Sequence, residues 1–428
     1  MVTYEKQIIK NDRTNEEYYY IKHPSGLDIM VWKMDNYSTT HALFGTKYGS
    51  INTKFKTSKD KDFVTVPEGI AHYLEHKLFE NEDCDVFSLY AKTGASANAY
   101  TSFDKTCYLL SCTDKFEESL RILLSFVQKP YFTKETVEKE QGIIGQEIRM
   151  YDDNANWRVF FNMLTGIYQN HPVKIDIAGT VESIAKIDAD LLYKCYHTFY
   201  NLNNMVLSIA GNVNVDEVLK ICDELLKPCE NLQLQTDFEE EPETVAKKEV
   251  TQKLEVATPL FNIGFKVKPS SGIEGIKAEI ETNIVLSLIA DESSNLYKKL
   301  YEDGLINSTF SNEVFDGDGY FCSIFGVESR NPHEVLSKII AEIERAKVEG
   351  LDKDLFESIK KSYYGSQIRE YNNVEAVATS MINAKMDGVT PFDIIETIAN
   401  VTFEDVQKRL LKQLNTENVT ISIIEPIQ

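Results

Sequence analysis

Apolar and polar positions along the first half of the chain alternate between two periods. Residues 18–21 and 27–32 are apolar, β-rich runs split by His23-Pro24-Ser25-Gly26, which predicts a hairpin. A third strand is predicted over 41–48, ending at Gly49-Ser50. Helical spacing follows over 69–80, 86–92, 115–127 and 134–151, with paired strands predicted at 95–101 and 106–112. Near Lys227 the pattern stops. Pro228 and the run Asp237-Phe238-Glu239-Glu240-Glu241-Pro242-Glu243 are polar, acidic and proline-interrupted, the composition of a solvated linker.

Beyond this stretch the first half recurs. Phe103-Asp104-Lys105-Thr106-Cys107-Tyr108 is echoed by Phe315-Asp316-Gly317-Asp318-Gly319-Tyr320. Gly145-Gln146-Glu147-Ile148-Arg149-Met150-Tyr151 is echoed by Gly365-Ser366-Gln367-Ile368-Arg369-Glu370-Tyr371. Two matched blocks in one order predict a duplicated αβ domain. The domains expected are 1–230, a linker over 231–247, and 248–428. A length of 428 residues, too great for one comfortable core, agrees with two domains.

The bulk numbers narrow the function classes. The formal charge of −22 repels phosphate backbones, so no nucleic-acid partner is expected. No apolar run is long enough to span a membrane. Met1-Val2-Thr3-Tyr4-Glu5-Lys6 lacks the layout of a secretory signal, so a cytoplasmic protein is expected. Seven cysteines (84, 107, 112, 195, 222, 229 and 322) include no Cys-x-x-Cys pair, which predicts buried thiols rather than disulfides or a thiolate zinc site.

Chemistry concentrates in His72-Tyr73-Leu74-Glu75-His76. On a helix, residues four apart share a face, so His72 and His76 can present two imidazoles to one cation, with Glu75 beside them. Ile70, Leu74 and Leu78 form the opposite, packing face, and Pro67 and Gly69 mark the helix start. A hydrolytic zinc site needs three protein ligands; zinc acidifies water, and an adjacent carboxylate such as Glu75 can take its proton. The third ligand is expected to be a carboxylate. Glu140 and Glu147, seven apart, share a helix face but are about 10 Å apart along the axis, so one binds metal and the other supports the site. Spacing alone does not choose between them.

His-x-x-Glu-His, followed about seventy residues later by Glu-x6-Glu, resembles the inverzincin peptidases. This family includes pitrilysin, insulin-degrading enzyme and the mitochondrial processing peptidase, and the nearest likeness is to bacterial chains of half-clamshell length. The resemblance implies an α+β fold of two homologous αβ domains, each a sheet with helices packed on one face, forming a half-clamshell. It implies His72, His76 and Glu147 as ligands of one Zn2+ per chain, Glu75 as catalytic base and Glu140 as support. Gly94-Ala95-Ser96-Ala97-Asn98-Ala99-Tyr100-Thr101 resembles the family's substrate-binding edge strand, where Asn98 and Ala99 bond an extended peptide. Gln367 in place of Glu147, with no second His-x-x-Glu-His, fits a metal-free second copy.

One departure bears on partners. Active members carry an Arg and a Tyr that grip substrate in a second-domain segment. Leu300-Tyr301-Glu302-Asp303-Gly304-Leu305-Ile306-Asn307 has neither at its expected place. The resemblance then implies a zinc endopeptidase acting on unfolded or short peptides within a heterodimer, whose zinc-less homologous subunit supplies the Arg/Tyr clamp. A homodimer, and a non-catalytic assembly or peptide-binding subunit, are the alternatives.

Overall fold

The computed structural model describes residues 5–82 and 85–427. Cys84 and residues 1–4 lie outside them. Two compact units are present, each assembled from non-contiguous parts of the chain: 1–146, 176–237 and 368–392 make the first, and 147–175, 238–367 and 393–428 the second.

The first unit is built on a seven-stranded sheet. Its spatial order is Gln7–Lys10, Glu17–Lys22, Asp28–Lys33, Met205–Gly211, Thr40–Thr46, Thr106–Cys112 and Ser96–Thr101. All neighbours are antiparallel except Asp28–Lys33 with Met205–Gly211. The fully buried character of Thr40–Thr46 and Met205–Gly211 follows from their central places. One side of these two strands is covered by the helix Val374–Met386, which comes from the far half of the sequence. Ser208 Oγ donates to Ala378 O at 2.7 Å across this contact. Gly45 makes the approach possible: a Cβ there would lie 2.8 Å from Ile382 Cδ1 and 2.7 Å from Cys107 Sγ.

The second unit repeats the plan on five strands, ordered Glu249–Leu254, Val419–Pro426, Leu260–Lys266, Tyr320–Glu328 and Ser311–Gly317. Its sheet receives Ala155–Ile167, a helix from the first half. Gly264 here does what Gly45 does in the first unit, since its Cβ would meet Ile167 Cδ1 at 2.4 Å. The duplication thus extends to a reciprocal exchange of helices. In each copy a long helix, Lys134–Asp152 or Lys353–Glu370, breaks at a short polar turn. An asparagine side chain then caps the exchanged helix, Asn154 to Trp157 N and Asn373 to Glu375 N. Both sequence echoes fall on matching elements: one on the hairpin turn beside each edge strand, the other on the C-terminal half of each long helix.

The stretch expected to be a solvated linker is partly tied down. Gln235–Thr236 pairs with Lys54–Lys56 in a small sheet. Glu241 accepts the backbone N–H groups of Gln169, Asn170 and His171 and pairs with buried Lys266. Lys266 Nζ also donates to Pro242 O and Thr244 O, and to Ile167 O at the end of the exchanged helix. A carboxylate can be as well satisfied by main-chain donors and one ammonium as by water. Cys107, Cys112, Cys195, Cys222 and Cys322 are buried free thiols, as expected, whereas Cys229 is exposed. Among the described residues no helix is long and apolar enough to cross a membrane.

Candidate metal centre

The helix Ile70–Leu78 begins at Gly69, whose φ of 85° suits glycine. A Cβ there would lie 2.3 Å from Ala178 O, so the tight entry excludes other residues. Ile70, Leu74 and Leu78 are buried, with Leu74 and Leu78 at 0% exposure, as the apolar stripe predicts. Tyr73 Oη donates to Val137 O and buried Lys77 reaches Thr136 O, tying this helix to the start of Lys134–Asp152. With the helix anchored in this way, His72, Glu75 and His76 are all half-buried.

His72 and His76 lie one turn apart, ring centroids 4.6 Å from each other and ring planes inclined by 57°. The helix Lys134–Asp152 runs unbroken through the unit division at 146/147, so Glu147 is held by the same rigid element as Glu140. One ligand atom each of His72, His76 and Glu147 lie within 4.8 Å of one another. No other such group of three His, Cys, Asp or Glu side chains occurs among the described residues. Two imidazole nitrogens and a carboxylate oxygen at this spacing form a donor set that zinc accepts.

Glu140 has a different place. Its Oε1 accepts from His76 Nδ1 at 3.0 Å, which leaves Nε2 of that ring as the nitrogen able to bind a cation. Burial raises the Glu140 pKa, but the hydrogen bond and charge of His76, with Lys77 and Lys139, outweigh it and hold it below the usual range. His72 is pushed down to about 3, chiefly by burial and secondarily by His76. A neutral ring is the form that ligates.

Glu75 Oε2 accepts from Thr101 Oγ1 at 2.7 Å. Thr101 ends the strand Ser96–Thr101, at the edge of the first sheet. Asn98 and Ala99 lie on this strand opposite Leu109 and Tyr108. The Ala99 N–H is directed to Asn98 Oδ1 at 2.9 Å, and the Asn98 side chain is exposed. Thr101 was not singled out from the sequence. Strand alternation was its signal, because Ala97, Ala99 and Thr101 share the face that meets the helix of Glu75.

The arrangement is that of a two-copy αβ protein in which one helix pair brings together three side chains that could hold a metal ion. Residues 66–181 match the family model described as "Insulinase (Peptidase family M16)", and residues 186–363 match "Peptidase M16 inactive domain". A relative from Bacillus subtilis named "Uncharacterized zinc protease YmfH" is 39% identical over 98% of this chain and 99% of its own. A solved structure, a putative M16-like peptidase from Alicyclobacillus acidocaldarius, superposes with a TM-score of 0.92 at 30% identity, covering 100% of this chain and 99% of that one. The beta subunit of the mitochondrial-processing peptidase of Caenorhabditis elegans is 26% identical over 54% of this chain and 50% of its own. The chain belongs to peptidase family M16, the insulinase or pitrilysin family.

Proposed function

We propose that this chain is a zinc-dependent endopeptidase that hydrolyses unstructured peptides or leader segments. The observation that carries the reading is the convergence of His72, His76 and Glu147, with Glu75 on the same helix as the histidines. These three residues would hold the ion, which when bound supplies a Lewis acid that acidifies water and polarises a peptide carbonyl. Glu75 takes a proton from the attacking water and delivers it to the leaving amine. Glu140 holds the His76 ring in the ligating tautomer. Asn98 and Ala99 bind an extended peptide along the edge strand, which selects chain conformation over sequence.

The relatives' names support peptide hydrolysis, and the match of 186–363 to an inactive-type domain is in keeping with a metal-free second copy. The chain works with a homologous zinc-less partner that supplies the Arg and Tyr that 300–307 does not carry at the expected places. A relative being named as a subunit supports such pairing.

The deciding experiment is metal analysis with a fluorogenic-peptide assay on wild type and Glu75→Gln, alone and with a homologous Arg/Tyr-bearing chain from the same source. The variant is expected to keep one zinc per chain and lose activity by at least about 100-fold. Zinc-loaded wild type that cleaves nothing, even with the partner present, would leave a non-catalytic peptide-binding subunit as the better description.

A further inference from the structure

We infer that Thr101 is a positioning residue for Glu75, holding the proton-accepting carboxylate in its working orientation through the side-chain hydroxyl. The inference rests on the reading of Glu75 as the base. Glutamate is long and has three rotatable side-chain bonds, so a helix fixes its Cα far better than its carboxylate. Something else must fix the oxygens. Thr101 Oγ1 does so from a separate element, donating to Glu75 Oε2 at 2.7 Å. A hydroxyl bonded to an ionised carboxylate makes a charge-assisted contact, stronger and more directional than a neutral one.

The geometry behind Thr101 makes it a rigid donor. Its backbone is paired with Thr106 in the antiparallel ladder of Ser96–Thr101 and Thr106–Cys112. Thr106 is fully buried, and its Oγ1 donates to Tyr48 O at 2.8 Å while standing 3.3 Å from Thr101 Oγ1. The Thr106 proton is thus engaged by the Tyr48 carbonyl, and Thr101 directs its own proton to Glu75. A β-branched side chain on a strand has a restricted χ1, so the hydroxyl is held at low entropic cost. The same strand carries Asn98 and Ala99, so the element proposed to receive the peptide also orients the base. Strand and base are therefore in fixed register.

The test compares Thr101→Val, which removes the hydroxyl and keeps the branched shape, with Thr101→Ser, which keeps Oγ1 and removes the methyl. It uses the full chain in whichever form, alone or paired, shows peptidase activity. Thr101→Val is expected to lower kcat by about 10- to 100-fold, the scale of misplacing a reacting group by an ångström, with KM unchanged. Zinc affinity, measured by competition with a chromogenic chelator, should match wild type in both variants because neither touches a ligand. Thr101→Ser should recover most of kcat. A wild-type kcat in Thr101→Val overturns the inference, as does Thr101→Ser falling equally far, or loss of zinc in Thr101→Val, which would mark a packing role. If zinc-loaded wild type is itself inactive, the reading of Glu75 fails and this inference falls with it. That outcome is distinct from an active wild type indifferent to Thr101.

Discussion

At the residue scale, the candidate centre places two carboxylates of one helix in different surroundings. Glu140 and Glu147 share a face of Lys134–Asp152, and their spacing in the sequence treats them alike. The coordinates separate them: Glu147 joins the two imidazoles, whereas Glu140 takes the Nδ1–H of His76. Removing a partner that orients a ligating histidine costs metal affinity without removing a ligand. Glu140→Gln is therefore expected to weaken zinc binding by about 10- to 100-fold, and Glu147→Gln to weaken it further, in a chelator-competition titration. Equal losses for the two would contradict the division of roles. The histidine pair was legible in the sequence because a four-residue spacing has one meaning on a helix. The choice between the glutamates was not, since it depends on where a second helix lies in space. Thr101 was hidden for a similar reason: its hydroxyl matters only once an edge strand and the helix Ile70–Leu78 face each other.

At the element scale, both sheets depend on a glycine to admit a helix from the other half of the sequence. The apolar patterns predicted sheets and helices well, because strands and helices are set by short-range periodicity. They could not say which sheet Ala155–Ile167 or Val374–Met386 would cover, since an amphipathic face specifies burial without specifying a partner. Gly45 and Gly264 are each the one glycine inside a buried stretch of strand, a setting for close backbone approach. The atoms a Cβ would meet at Gly264, Ile167 Cδ1 and Met163 Sδ and Cγ, belong to flexible side chains that can yield in part. Gly264→Ala is accordingly expected to cost about 1 kcal/mol and Gly264→Val about 3 kcal/mol in urea unfolding, the range for overpacked cores. A Gly264→Val chain as stable as wild type would show that the helix does not rest on this strand.

At the scale of the whole molecule, histidines whose pKa is lowered by burial contribute to how stability follows pH. Burial lowers the pKa of His72, His171, His41 and His23, with that of His171 reaching about 4. For His171 the hydrogen bond from Val173 agrees with the direction, while that to Asp318 opposes it. Its Nδ1 accepts from Val173 N at 3.2 Å and its Nε2 lies 3.1 Å from Asp318 O, so the neutral ring with its proton on Nε2 satisfies both. A second proton would set Nδ1–H against the Val173 N–H. Burial outweighs the opposing pull of Asp318 and Glu241, and Lys266 adds to it. Above the ordinary histidine value of about 6.5 neither the folded nor the unfolded ring is protonated, and stability is unaffected. As pH falls from there toward 4 the unfolded chain gains a proton that the folded chain refuses, so stability is lost across that window. For His171 alone the loss between pH 7 and pH 5 is about 2 kcal/mol. Urea unfolding of the metal-free chain should therefore shift to lower midpoints at pH 5, and His171→Gln, which takes up no proton, should flatten that dependence even if it is less stable at pH 7. An unchanged slope in His171→Gln would mean that the ring is protonated alike in both states, and that its buried contacts with Val173 and Asp318 are broken in solution.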